Sequence, residues 1–325
     1  MEIRQLKGEL IFIRSNELNE NPGPFCMSFD FDLKSIMTSI NMVGLINKPF
    51  IRRSKSGSLD IITGYRRILA LKALNQDIIP CIDLTNSGLK DLELLLINLN
   101  ENIYTRGFNN VEKSMIIKRL LSHIPVSIIY EHYMVPLSIS GRKELDLLIK
   151  LDGMTGELKE RMARDLISMK AFELLSDMKI PEVTIISRLI EDLRLNFNQQ
   201  LLFIEYINDI SANEKIAIQK ILSDDMFSEL LDENSQNNPQ RAKKFLDHLK
   251  ARRYPVLIKN EKAFLKLVSD IGLPPNVRVK HTPFFEGPGY ALEIIFNEGR
   301  GLKETINKLI HLKGIERIKD PWTED

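Results

Sequence analysis

The chain has 325 residues, 43% of them hydrophobic and 27% charged, a balance that suits soluble globular domains and excludes wholesale disorder. Lys and Arg number 45 against 44 Asp and Glu, so no global cationic field draws the chain to nucleic acid or membrane, and any DNA-binding face must be local. The only cysteines, Cys26 and Cys81, have no CxxC partner or nearby His pair, which excludes a disulfide framework and disfavours zinc. No apolar run approaches the ~20 residues of a bilayer span, and the start lacks a signal-peptide apolar core, so a cytoplasmic protein is expected. At roughly 100–200 residues per domain, the length predicts two or three domains.

In chain order, 9–13 is a short apolar run, 19–26 reads as a Pro/Gly loop, and 33–42 as an amphipathic helix with Leu33, Ile36, Met37 and Ile40 at helical spacing. Residues 50–53 and 59–63 read as a hairpin with Gly57 at the turn. Gly64 closes its second strand and 65–74 runs on as a helix, followed by a strand within 77–84 and a helix over 90–98. From about residue 109 glycine becomes sparse and helical periodicity dominates, over 111–121, 141–151, 157–164, 168–178, 183–194, 199–209 and 213–222. Pro181 suits a sharp helix stop, and 232–241 is the most polar stretch and reads as a loop. The tail predicts helix 260–271, strand 277–281, strand 290–296 and helix 302–312, an α-β-β-α unit. The expected fold class is therefore α+β, with domains at 1–108, 109–250 and 251–325.

Two constellations could carry chemistry. In the first, Ile61-Ile62-Thr63-Gly64-Tyr65-Arg66-Arg67, a strand ends in glycine and adjacent arginines open a helix. Glycine lets an anion approach the backbone, helix-start N–H groups point at it, and guanidinium donors suit phosphate oxygens. Adjacent arginines cannot share one helical face, so one can face a ligand while the other braces the fold. The pattern equally suits a surface basic turn. In the second, Glu101-Asn102 is followed by Arg106. A carboxylate beside an amide supplies hard oxygens for Mg²⁺, and Arg106 could neutralise phosphate. The alternative is a solvated helix end, with Asn109 or Asn110 capping the next helix ahead of Glu112.

In this order, Gly64-Tyr65-Arg66-Arg67 and Glu101-Asn102 with Arg106 resemble the Gly-Glu-Arg-Arg and Glu-Asn-x-x-Arg motifs of the ParB family of partition proteins. The segments Gly44-Leu45-Ile46-Asn47-Lys48-Pro49 and Gly107-Phe108-Asn109-Asn110-Val111-Glu112 resemble the family too, so the likeness covers roughly residues 1–180. It implies a ParB/sulfiredoxin-like N-terminal domain that binds CTP with Mg²⁺. Gly64, Arg66 and Arg67 would then cradle phosphate, Glu101 and Asn102 would hold the metal, and Arg106 would support the phosphate side. It further implies DNA as partner, a homodimer and a ParA-like ATPase. Tyr65 stands where the motif carries a glutamate tied to hydrolysis, which implies at most slow CTPase activity. Glu101 to Arg106 is one residue longer than the family spacing, and 21–28 lacks the family's Gln-Pro-Arg segment.

The same resemblance implies a helix-turn-helix over about 127–151, with 128–133 as first helix and 134–137 as turn. Ser138, Ser140, Arg142 and Lys143 would open the recognition helix, residue types able to reach phosphates or base edges. Lys250, Arg252 and Arg253 beside Tyr254 form a compact basic cluster suited either to phosphate contacts or to a solvated helix end. Phe284 and Phe285 sit on a Pro/Gly-rich loop, and Trp322 in an acidic terminus. The α-β-β-α tail could pair with a second copy. Two other functions fit the sequence: a phosphoryl-transfer enzyme of the free-serine-kinase type on the same fold, or an interaction protein with a vestigial nucleotide site.

Overall fold

The computed structural model describes residues 6–223, 238–282 and 289–318. The chain is α+β and divides into two units, Met1–Ile204 and Glu205–Asp325, described here in turn.

In the first unit, strands β1 (Glu9–Arg14), β2 (Phe50–Arg53), β3 (Leu59–Thr63) and β4 (Ile78–Asp83) form one sheet in the order β1-β4-β2-β3. The β2 and β4 strands run parallel; the other neighbours are antiparallel. Strand alternation sends Ile13, Ile51, Ile61, Ile79 and Cys81 into one cluster, which Ile68 and Leu71 of helix α2 (Tyr65–Ala73) close over. Helix α1 (Lys34–Val43) packs on α2 and adds Ile40. Helix α3 (Asp91–Ile103) packs against β3 and buries Leu94, Leu95 and Leu99. Leu10, Phe12 and Ile78 of β1 and β4 remain exposed.

The α3 helix runs five residues past the end predicted at residue 98, and this matters for the site. It puts Asn98 and Asn102 four apart on one helical face. Asn98 is buried, and its Nδ2 donates to the carbonyls of Phe25 (2.7 Å) and Ile62 (2.6 Å) while its Oδ1 accepts from Asn102 (2.7 Å). One amide therefore ties α3 to the end of β3 and to the irregular loop before α1.

Six further helices complete the all-helical part of this unit: α4 (Asn110–Leu121), α5 (Val126–His132), α6 (Arg142–Asp152), α7 (Gly156–Ala163), α8 (Met169–Leu175) and α9 (Ile180–Asp192). The α4 helix packs on α5, α6 and α7, and α7 packs on α9. Thr155 and Ser168 cap α7 and α8 by accepting from the N–H groups of Leu158 and Ala171. Pro181 is not a stop: it lies in the first turn of α9, where its missing N–H would have had no helical partner. The predicted helices at 199–209 and 213–222 are instead the long α10 (Phe197–Glu214), within whose residues the division between the units falls, and the short α11 (Ile218–Leu222).

In the second unit, α12 (Asn238–Arg253) and α13 (Pro255–Ile271) precede an antiparallel pair, β5 (Val277–His281) and β6 (Tyr290–Ile294), and α14 (Gly299–Ile310). The α-β-β-α order is present, with α13 starting five residues earlier than predicted. Residues 238–241, predicted as loop, open α12. The Phe264 ring stacks on Tyr290 with centroids 5.5 Å apart and meets His281 edge-on at 5.1 Å. Phe284, Phe285 and Trp322 lie outside the described residues.

Replacing Asn98 by Ala strips donors from two buried carbonyls. Asn98→Ala should cost about 2–3 kcal/mol of stability, read as a lower urea midpoint at unchanged m-value.

Candidate nucleotide site and nucleic-acid interface

The strand–glycine–helix junction forms as expected. Gly64 has φ +80°, the left-handed region that favours glycine, and a Cβ there would stand 3.0 Å from Pro49 Cα and from the Arg67 guanidinium. Gly64, Arg66, Arg67, Glu101, Asn102 and Arg106 all line one cavity of about 580 Å³. Its far wall is α1, which presents Ser35, Ile36, Ser39 and Ile40, with Asp32 just ahead of the helix. Asn47 and Glu101 also border a second, largely apolar cavity of about 780 Å³.

The adjacent arginines diverge. Arg67 Nη1 donates to the Asn47 carbonyl at 2.7 Å and its Nη2 to Glu101 Oε1. Arg66 turns the other way: Nη2 donates to Glu112 Oε1 at 2.6 Å and Nε to Ser28 Oγ at 3.1 Å, with the guanidinium 4.5 Å from the Phe31 ring centre. Burial, with the Arg106 charge beside it, pulls the Arg66 pKa down from its ordinary value.

Glu112 is the centre of this arrangement, and the sequence reading named it only as a capping partner. Its side chain is 2% exposed. Oε1 accepts from Arg66 and the Phe29 N–H, and Oε2 accepts from Arg106 (2.7 Å) and the Asn109 N–H. Asn109 returns the bond by accepting from the Glu112 N–H at 2.9 Å, a capping box that fixes the carboxylate at the start of α4. One signal was in the sequence: Asn-x-x-Glu ahead of an apolar helix.

Arg106 is more heavily committed still. Its Nε donates to Asn102 Oδ1, Nη1 to Glu112 and the Gly107 carbonyl, and Nη2 to the Met27 carbonyl and Ser28 Oγ. Its guanidinium also lies over the Phe108 ring. With its donors spent on protein acceptors, Arg106 braces the 27–28 segment between α3 and α4. Of the two expected metal ligands, Glu101 alone has an oxygen to offer. Glu101 Oε2 is buried without a hydrogen-bond partner, which fits a hard cation. Asn102 does not fit in this arrangement, because its oxygen accepts from Arg106 and its Nδ2 donates to Asn98. Among the described residues, no cluster of three or more His, Cys, Asp or Glu side chains could hold a metal unaided, so a cation here would need oxygens from its own ligand.

Tyr65, in the position of the expected glutamate, donates its hydroxyl to the Glu20 carbonyl at 2.6 Å and meets Phe31 edge-on. Burial raises its pKa, so it stays a neutral phenol and supplies no base.

The expected DNA-reading residues gather, with a shift in register. The second helix begins at Arg142 rather than Ser138, because Ser138 has φ +51° and breaks the helical path. The connection over 133–141 replaces the short turn and buries Met134, Leu137 and Ile139. Ser140 bonds Glu144 through its N–H and hydroxyl, Lys143 pairs with Glu173, and Arg142 is exposed on the first turn of α6.

The basic cluster of the second unit forms no open cationic face. Lys250 pairs with Glu261, Arg252 with both oxygens of Glu214, and Arg253 with Asp209. Arg252 holds the Glu214 carboxyl below its ordinary pKa.

No family model and no curated protein matches this chain. Solved structures do. The similarity is to ParB proteins. One is the C-terminally truncated chromosome-partitioning protein ParB from Caulobacter crescentus complexed with CTP-gamma-S, at 19% identity and TM-score 0.27, covering 56% of this chain and 99% of that one. The same protein complexed to the centromeric parS site is similar at 16% identity and TM-score 0.33, covering 58% and 96%. A Pnob8-like ParB-N domain is similar at 12% identity and TM-score 0.37, covering 79% and 99%.

Removing the Glu112 carboxylate would leave two arginines without their shared counter-charge. Glu112→Ala should destabilise the first unit by about 3–5 kcal/mol, measured by chemical unfolding, and Glu112→Gln by a smaller amount.

Proposed function

We propose that this chain is a ParB-like DNA-binding protein with a nucleoside-triphosphate switch of the CTP type, acting in DNA partition, nucleoid organisation or transcription regulation. The observation that carries the reading is the convergence of the 64–67 turn and the 101–106 helix end on one cavity large enough for a nucleotide. The α2 N-terminus and Arg67 meet the phosphates there, Glu101 supplies the protein oxygen for Mg²⁺, and α1 forms the wall for the base. Arg66, Arg106 and Glu112 hold the 27–29 segment and α4 in place around the ligand. Differential affinity for one arrangement of α4 against the α/β part is what makes the ligand a switch.

In this reading Tyr65 leaves the site a binder with at most slow hydrolysis, and the exposed start of α6 around Arg142 and Lys143 contacts DNA. A homodimer, a ParA-like ATPase partner and a cytoplasmic, nucleoid-associated location complete the proposal. Among the described residues no helix is long and apolar enough to cross a membrane. A second reading, an interaction protein whose nucleotide site is vestigial, draws on a specific observation: the basic residues of both the cavity and α12 are tied to the protein's own carboxylates.

Calorimetric titration with CTP, ATP, GTP and UTP in Mg²⁺, with and without nonspecific DNA, separates the two. The first reading expects CTP to bind selectively and Arg67→Ala to abolish binding with the fold intact by circular dichroism. Absence of binding to all four nucleotides supports the second. For DNA, Arg142→Ala with Lys143→Ala should weaken binding at low salt and reduce the slope of log K against log salt by about 1–2. An unchanged slope would take α6 out of the interface.

A further inference from the structure

Glu112 and Glu101 both neutralise arginines at the cavity, but they do so differently. Glu112 spends both oxygens on donors and is sealed in place by the α4 capping box. Glu101 spends one. Its Oε1 accepts from Arg67, while its Oε2 is buried without a hydrogen-bond partner. An unpartnered buried carboxylate oxygen costs free energy until something positive reaches it, and a small hard cation is the natural partner. Its side chain is 33% exposed, so it has room to move that Glu112 lacks.

Arg67 occupies the place an incoming anion would need. Its guanidinium lies against Gly64, where a Cβ would be 3.0 Å from both Nε and Nη2, directly at the turn that opens α2. A polyphosphate arriving alone would meet an arginine whose charge is already cancelled, beside a carboxylate that repels it. A polyphosphate arriving with a divalent cation brings its own partner for that carboxylate.

Resting on the nucleotide reading above, we propose that Glu101 is an exchangeable counter-ion. It holds Arg67 until a divalent cation draws the carboxylate away, and Arg67 then pairs with the phosphates. The exchange conserves the number of ion pairs: Arg67–Glu101 and cation–phosphate become Arg67–phosphate and Glu101–cation. Metal and phosphate binding are thereby coupled, and the coupling resides in one side chain. A carboxylate that only ligated the metal would also relieve repulsion of a metal-free ligand when neutralised, but that gain would not depend on Arg67.

The test is calorimetric titration of CTP into the full chain, in EDTA and in Mg²⁺, for wild type, Glu101→Gln, Arg67→Ala and the double variant Arg67→Ala/Glu101→Gln. Thermal melting followed by circular dichroism checks that each is folded. Wild type should gain about a hundredfold in affinity from Mg²⁺. Glu101→Gln in EDTA should bind CTP about tenfold more tightly than wild type in EDTA, and its gain from Mg²⁺ should shrink by at least as much. In EDTA the double variant should bind no better than Arg67→Ala alone, and a double variant that does bind better overturns the exchange. Glu101→Gln binding no better than wild type in EDTA, or keeping the full Mg²⁺ gain, overturns the exchange while leaving the nucleotide reading standing. Wild type that binds no nucleotide in either buffer overturns both.

Discussion

A single buried carboxylate organises the first unit. Glu112 lies in the first turn of α4, almost wholly out of water, and it is tolerable there only because two guanidinium groups and two backbone N–H groups saturate it. Its partners come from different elements: Arg66 from α2, Arg106 from just beyond α3, and Phe29 from the loop before α1. The α/β part and the helical part are thus joined by a charge cluster as well as by apolar packing. Desolvating three charges is costly, and the cluster recovers that cost through its geometry, each oxygen of Glu112 accepting more than one bond.

The loop over 24–30 shows the consequence. It has almost no regular secondary structure, yet its carbonyls and side chains are held one after another from outside. Arg119 binds the Pro24 carbonyl, Asn98 that of Phe25, Arg106 that of Met27 and Asn109 that of Phe29, while Arg164 clamps the Asp30 carboxylate through two bonds. Polar side chains in or just outside α3, α4 and α7 do for this loop what a neighbouring strand does for a strand. The cavity owes the shape of its Met27–Ser28 wall to them.

Much of this could be read from the residues alone. Periodicity located most of the strands and helices, and the order glycine–arginine–arginine, then Glu-Asn and an arginine, located residues that the fold does bring to one cavity. What the sequence concealed was partnership. Arg66 and Arg67 are neighbours in the chain and look equivalent, but a helix turns successive residues about 100° apart, and that angle sends one to Glu112 and the other to Glu101. Asn98 reads as an ordinary polar residue until α3 is seen to continue past it, burying its amide. Lys250, Arg252 and Arg253 read as a cationic patch because their acids, Glu261, Glu214 and Asp209, are distant in the chain. Local pattern carries elements well; it does not carry which charges cancel.

Glu112, Arg66 and Arg106 place one negative and two positive charges where water barely enters, so the three positions are unequal. Neutralising either arginine leaves a matched pair, whereas neutralising Glu112 leaves two like charges facing each other, and relief then has to come from a different element of the fold. The carboxylate is therefore the one member of the three on which the other two both depend.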